Sequence, residues 1–387
     1  MNKKVGCVLA YGCNFGTMLQ SYATIHSIKK LGYDCEIIRY VKHDSILKKA
    51  SMVFRALRIG DISDQIRAYK QKFSMLLHPD YKTNRAIHKE AFEKFGEKYL
   101  KPLFHEYDGY NALCKGALNY DIVLVGSDQL WTPMSLYGNY YNLMFVDDKI
   151  SKIAYAASFG VSEIPAFQRD ATKTYLDRFA RIGAREIQGK KIVDSLSINK
   201  ATHVSDPSML LNADEWKGIA SSKIEGFDIN DEPYIFCLLL GPNTEARQAA
   251  KELRKKTGMK IVAVVNLDEY VSGDEEFCDI SLHNIAPDNF LHLVANASYV
   301  CTDSFHCSIF SILFHRQFMV FYRYAVTKKG GRNSRIDSLL TKFGLETRLF
   351  SGDITAIEAP IDYNNVDRLV AEFRELSMKF LSDSLSL

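Results

Sequence analysis

The chain has 387 residues, more than one hydrophobic core usually serves, so length alone favours two domains. Apolar residues make up 47% and charged residues 25%, a balance that excludes a disordered chain. A formal net charge of only +3 argues against nucleic acid as a partner, and no apolar run approaches the length of a membrane span.

The apolar run over 5–10 is too short for the hydrophobic region of a signal peptide and reads as a buried strand. A glycine-bearing turn at 11–16, which holds Asn14, leads into a helix over 17–31 marked by Leu19, Ala23, His26 and Ile28. A strand over 35–40 completes a β-α-β unit. The turn is not G-x-G-x-x-G, which removes the main support for a dinucleotide. Residues 42–101 form a basic, helical insertion, with Lys48, Lys49, Arg55, Arg58, Arg67, Lys70 and Lys72 in its first half. The ordinary reading of such a stretch is a solvated helix over a sheet, and the alternative is a face turned to a membrane surface.

A strand over 121–125 runs into Gly126, Ser127, Asp128 and Gln129, and another over 152–157 runs into Ser158, Phe159 and Gly160. The alternation continues through 172–179 and 182–186, ending on Arg185 and Glu186, and a last strand with its exit turn is expected at 204–211. Asp206, followed by proline, reads as a turn-former rather than a base. The first domain therefore spans 1–211, and a polar connection covers 212–233. A second α/β domain follows over 234–350, with strands at 234–240, 260–265, 299–301 and 318–321 and helices at 244–256, 287–296 and 304–314. The acidic run 268–279 reads as a solvated insertion, and apolar residues at helical spacing make 362–387 a closing amphipathic helix. The eight cysteines are scattered without a Cys-x-x-Cys pair, so no metal site or redox motif is expected and reduced thiols point to the cytosol.

The most informative stretch begins at Tyr299, where a buried strand hands over to a helix at Thr302, Asp303, Ser304 and His306. Open α/β sheets bind ligands at such junctions, and a helix N-terminus suits a phosphate or carboxylate. His306 can exchange a proton beside that anion, although a capping Ser304 with a merely structural histidine explains the same residues. Arg323 follows a buried strand, while Arg332 and Arg335 belong to a glycine-hinged loop that can close over an anion or simply be solvated. Cys307 reads as packing, since helix neighbours one residue apart do not face each other. The chain contains no G-x-x-x-x-G-K-[ST] loop, no H-E-x-x-H helix and no G-x-S-x-G elbow.

Six segments in order resemble the polysaccharide pyruvyl transferase family: Gly126-Ser-Asp-Gln-Leu-Trp, Ala154-Tyr-Ala-Ala-Ser-Phe-Gly, Ala184-Arg-Glu, Ser205-Asp-Pro-Ser-Met-Leu-Leu, Thr302-Asp-Ser-Phe-His and Ser334-Arg-Ile. The resemblance implies two Rossmann-like α/β domains facing a cleft in a glycosyltransferase-B-like arrangement, with the acceptor on the first domain and the donor on the second. It implies transfer of pyruvate from phosphoenolpyruvate, as co-substrate, onto sugar hydroxyls of a polysaccharide or lipid-linked oligosaccharide to form a cyclic ketal, with no cofactor and no metal. Where the family often has glycine after the histidine, this chain has Cys307. In that chemistry His306 is the expected general acid, and Asp128 or Glu186 the base. Asn14, Gln129, Arg185, Asp303, Ser304, Arg323, Arg332 and Arg335 are the expected substrate-binding residues. The location implied is cytoplasmic, with a peripheral contact on the inner membrane surface if the basic insertion docks there. The rival readings are a nucleotide-sugar-dependent glycosyltransferase of the same fold and a non-catalytic glycan-binding protein.

Overall fold

The computed structural model describes residues 3–42, 59, 63–225, 227, 232–265, 270–271, 273–274, 276–323 and 333–387. Lys48, Lys49, Arg55, Arg58 and Arg332 lie outside the described residues.

Two wholly parallel sheets organise the chain. The first contains β1 (Lys4–Val8), β2 (Asp34–Val41), β3 (Phe104–Asp108), β4 (Ile122–Asp128), β5 (Ser151–Ala157), β6 (Arg181–Ala184) and β7 (Ala201–His203), in the order β3-β2-β1-β4-β5-β6-β7. The second contains β8 (Tyr234–Leu238), β9 (Lys260–Val264), β10 (Ile280–Leu282), β11 (Tyr299–Thr302) and β12 (Gln317–Val320), in the order β10-β9-β8-β11-β12. Central strands such as β8, and β4 as far as Val125, are continuous apolar runs because helices cover both faces of a parallel sheet.

The helices follow in chain order: α1 (Phe15–Lys30), α2 (Ser63–Leu77), α3 (Pro79–Tyr99), α4 (Tyr110–Ala117), α5 (Arg169–Leu176), α6 (Ile187–Leu196), α7 (Ala213–Lys217), α8 (Thr244–Thr257), α9 (Pro287–Asn296), α10 (Phe305–Leu313), α11 (Ser334–Phe343) and α12 (Tyr363–Leu385). In each sheet the chain turns back at one point, between β1 and β4 in the first and between β8 and β11 in the second. Loops diverge there and leave a crevice outside the strands' carboxyl ends. This is the glycosyltransferase-B-like arrangement of two doubly wound domains.

Several elements differ from the sequence reading. Helix α1 starts at Phe15 rather than 17, because the Asn14 side chain accepts a hydrogen bond from the Thr17 N–H at 3.1 Å and caps it. Strand β3 and helix α4 follow the basic insertion, in a stretch to which the sequence reading assigned no element. The final strand of the first sheet is 201–203, and 204–206 is its exit. The stretch 172–179, given no element type within the alternation, holds the end of α5. The acidic run 268–279 is not simply a solvated insertion: Asp274 and Phe277 are buried, Asp274 pairs with Arg247, and the chain then adds β10 as an edge strand.

One apolar cluster runs through both domains. Phe15 at the start of α1 stacks on Phe290 of α9 with centroids 4.8 Å apart, and Phe290 meets Phe310 of α10 at 5.8 Å. Helix α12 then crosses from the second domain back to the first. Its Tyr363 hydroxyl donates to the Arg316 carbonyl at 2.5 Å, and further on Arg374 donates to the Met209 carbonyl at 2.6 Å. The Ser377 hydroxyl oxygen accepts the Ser205 N–H at 2.8 Å, which pins the corner that carries Asp206.

Phe290→Ala should empty the seam between the domains and cost about 3–5 kcal/mol in urea denaturation. An unchanged midpoint would mean that this aromatic cluster does not couple them.

Candidate active site

The end of β11 is built to hold its loop still. The Thr302 hydroxyl donates to the Leu238 carbonyl at 2.7 Å and accepts the Ser304 N–H at 3.0 Å. The buried Asp303 carboxylate accepts the N–H groups of Leu240 and Gly241, each at 2.8 Å, so it ties the exit of β8 to the exit of β11. Ser304 caps α10 by accepting the Cys307 N–H at 3.4 Å. The Cys307 thiol is fully buried and burial pushes its pKa up to about 12, which leaves it inert.

His306 sits in the first turn of α10, with both domains around it. Its Nε2 lies 3.4 Å from Oδ2 of Asp206, which belongs to the first domain. The same oxygen takes Nη1 of Arg185 at 3.0 Å and the Ser127 hydroxyl at 3.2 Å, while Oδ1 accepts the Ser208 N–H at 2.9 Å. Burial raises the Asp206 pKa, but the His306 and Arg185 charges outweigh it and hold the carboxyl well below the usual carboxylate range. The turn-forming role expected of Asp206 is present in its bond to Ser208; its pairing with His306 and Arg185 was not anticipated. The one sequence signal for it was its place in the Ser205-Asp-Pro-Ser segment. On the other side of the ring, a Cβ on Gly16 would come within 1.9 Å of His306 Nδ1, so only glycine lets α1 approach this closely. With Nε2 turned to Asp206, Nδ1 is the nitrogen left for a ligand.

Asp128 ends β4 with φ at 73°, a left-handed conformation that turns its carboxylate toward α1. Its oxygens accept the Thr17 hydroxyl at 2.8 Å and the Gln129 N–H at 2.9 Å, and Arg185 Nη2 is 3.5 Å away. Burial again raises its pKa, and Arg185, His306 and Arg335 bring the net shift down. Glu186 behaves oppositely. Burial raises its pKa, and neither Arg185, with Nε 3.9 Å away, nor the bond from Ser158 at 2.8 Å reverses the shift. Arg185 and Arg335 both lie over the Phe305 ring, at 4.9 and 5.7 Å from its centroid. Burial and the Arg185 charge lower the Arg335 pKa to about 10, so it still carries its charge at neutral pH.

These elements enclose a cleft of about 140 Å³ between the domains. Asn14, Asp128 and Gln129 line it from the first domain, and Ser304, His306, Arg323 and Arg335 from the second; Asp303 also reaches its wall. Arg185 and Glu186 instead line a smaller adjoining cavity with Phe305, so Arg185 acts on the cleft through Asp128 and Asp206. Of the sequence candidates, only Arg332 falls outside the described residues. The result is a crevice with two arginines, a helix N-terminus and a histidine held by a buried carboxylate, an arrangement suited to an anion with a proton donor or acceptor beside it.

Two switch-point crevices joined over such a site define a doubly wound, two-domain α/β fold with its cleft between the domains. The chain belongs to the polysaccharide pyruvyl transferase family, whose profile matches residues 14–323. A search of curated proteins finds no match. Among solved structures, the chain is similar to the UDP-GlcNAc 2-epimerase of Methanocaldococcus jannaschii, with 12% identity, TM-score 0.49, and 92% of this chain and 90% of that one covered. It is also similar to a UDP-N-acetylglucosamine 2-epimerase described as putative from Listeria monocytogenes, with 10% identity, TM-score 0.49, and 99% and 91% covered. An alpha-glucosyltransferase solved with UDP shows 9% identity, TM-score 0.47, and 100% and 95% covered. Nothing about activity follows from likenesses this weak.

Gly16→Ala would drive a methyl group into the His306 ring and should cost about 1–3 kcal/mol in a denaturation midpoint. Gly12→Ala, whose Cβ meets nothing within 4 Å, is the matched control and should be neutral. The raised pKa of Glu186 makes a second prediction. A carboxyl that binds its proton more tightly when folded loses stability as pH rises from its unfolded value through its folded one. Glu186→Gln should therefore raise the thermal midpoint at pH about 7 and have little effect below about pH 4. A gain confined to acid pH would reverse that assignment.

Proposed function

We propose that the cleft binds phosphoenolpyruvate and transfers its pyruvyl group to two hydroxyls of a sugar in a polysaccharide or lipid-linked oligosaccharide, forming a cyclic ketal and releasing phosphate. The observation that carries this reading is the convergence of His306, Arg323, Arg335 and the α10 N-terminus on one crevice, within a chain of this family. Phosphoenolpyruvate carries a carboxylate and a phosphate on the same carbon, C2, and such a cationic crevice suits that pair of anionic groups. The cysteine thiols, none in a disulfide among the described residues, support a reducing cytoplasmic setting.

The reaction makes stated demands on these residues. One acceptor hydroxyl adds to C2 of the enol, C3 gains a proton to become a methyl group, the second hydroxyl closes the ring at C2, and the C2–O bond to phosphate breaks. Of the two hydroxyl protons, one is balanced by that gained at C3 and the other leaves on phosphate. His306 is the acid, delivering its proton from Nδ1. Asp206 is the positioning residue, since its buried carboxylate lies 3.4 Å from Nε2 and orients the ring. Arg323, Arg335 and the Ser304 N-terminus hold carboxylate and phosphate as charge builds at C2.

For the base, geometry comes before pKa. Asp128 lines the cleft and Glu186 lines the cavity beyond Phe305. Asp128 is therefore the acceptor-side base, weak in the ground state and effective as the attacking hydroxyl acidifies, and Glu186 is a counter-charge to Arg185. Asn14, whose side chain caps α1, and Gln129 form the acceptor wall.

Thermal unfolding with phosphoenolpyruvate, and separately with nucleotide sugars, tests the donor. Phosphoenolpyruvate should raise the midpoint of the parent and of His306→Ala but not of Arg335→Ala. Phosphate release with a panel of pyranoside acceptors should fall about 10²- to 10⁴-fold in His306→Ala. Stabilisation by a nucleotide sugar alone would replace this reading with glycosyl transfer.

A further inference from the structure

Helix α2 carries an apolar face that no other described element covers. Ile66, Tyr69, Phe73, Leu76 and Leu77 are all exposed, the last four by 60% or more. At about 100° per residue these five positions share an arc of about 100° on one side of the helix. Exposed Lys70 and Lys72 fall on either side of that arc. Other exposed large apolar residues among those described are scattered singly, as is ordinary for a surface.

The charge of the segment identifies the partner. Residues 42–77 hold eight lysines and arginines against three aspartates, a surplus larger than the net charge of +3 on the whole chain. We propose that this face docks on an anionic lipid bilayer, with the apolar stripe at the boundary of headgroups and acyl chains and the flanking lysines among the phosphates. A second copy of the chain is a poor occupant, because a two-fold contact would set the same basic segments against each other.

The position of α2 gives such docking a use. Its last residue, Leu77, lines a cavity of about 420 Å³ with Tyr81 and Asn84 of α3 and with Val265 and His283 at the exits of β9 and β10. Strand β9 neighbours β8, so this cavity lies along the same carboxyl edge as the candidate active site. A docked α2 would set that end of the groove at the lipid surface. On the pyruvyl-transfer reading, and resting on it, the acceptor is then a lipid-linked saccharide that enters the cleft from the membrane side.

The test is vesicle sedimentation of the full chain, which needs no group transfer and so stands apart from the donor experiment. Phosphatidylcholine vesicles, with and without phosphatidylglycerol, are compared for the parent, for Phe73→Glu with Leu76→Glu, and for Lys70→Glu with Lys72→Glu. The parent should bind only the anionic vesicles, less so as salt is raised, and each double variant should weaken binding at least about tenfold while keeping the parent's thermal midpoint. Absence of binding, equal binding to neutral vesicles, or variants that bind like the parent would each overturn the proposal. A concentration-dependent dimer in ultracentrifugation, abolished by Phe73→Glu with Leu76→Glu and accompanied by no vesicle binding, would assign the face to a second copy instead.

Discussion

The buried contact of Asp206 with Arg185 and His306 is the constraint on which the site depends. Asp206 and Arg185 come from the first domain and His306 from the second, and the carboxylate side chain is wholly shielded from water. Charges so buried are tolerated only when paired and hydrogen-bonded, and removing one partner typically costs about 3–5 kcal/mol. Parting the domains at this point would therefore carry the imidazole away from that buried carboxylate. Gly16 adds a steric condition, because α1 reaches the imidazole only where a side chain is missing.

The rest of the fold serves that contact. Parallel sheets reverse their strand order at β1/β4 and β8/β11, and Asn14, Asp128, Gln129 and Ser304, which line the cleft, sit at the strand exits beside these reversals. The Phe15 and Phe290 stack makes the seam between the domains apolar. Helix α12 holds the Ser205–Asp206 corner from behind, so an element far from the chemistry helps set the position of the carboxylate. Function is thus assembled from local pieces by long-range packing.

That division explains what could be read from the sequence. The handover from β11 to α10 was legible because a capping serine, an apolar helix and flanking apolar strands are all local signals, and Thr302, Asp303, Ser304 and His306 fall there. Asn14 was placed on its loop but its capping bond was not, so the start of α1 was set two residues late. The edge strands β3 and β10 escaped because they are short, partly exposed and paired on one side, which blurs any apolar period. Asp206 was legible as a turn residue, but its partner His306 lies a hundred positions away and no local pattern points to it. Asp303, expected to touch substrate, spends both carboxylate oxygens on backbone N–H groups. That role is visible only once β8 and β11 are known to be neighbours.

The most direct measurement is a crystal structure of the protein with phosphoenolpyruvate bound. The account predicts the phosphate and carboxylate against Arg323, Arg335 and the α10 N-terminus, C3 toward His306 Nδ1, and Nε2 still on Asp206. Phosphoenolpyruvate bound outside this cleft, or His306 turned away from it while paired elsewhere, would contradict it.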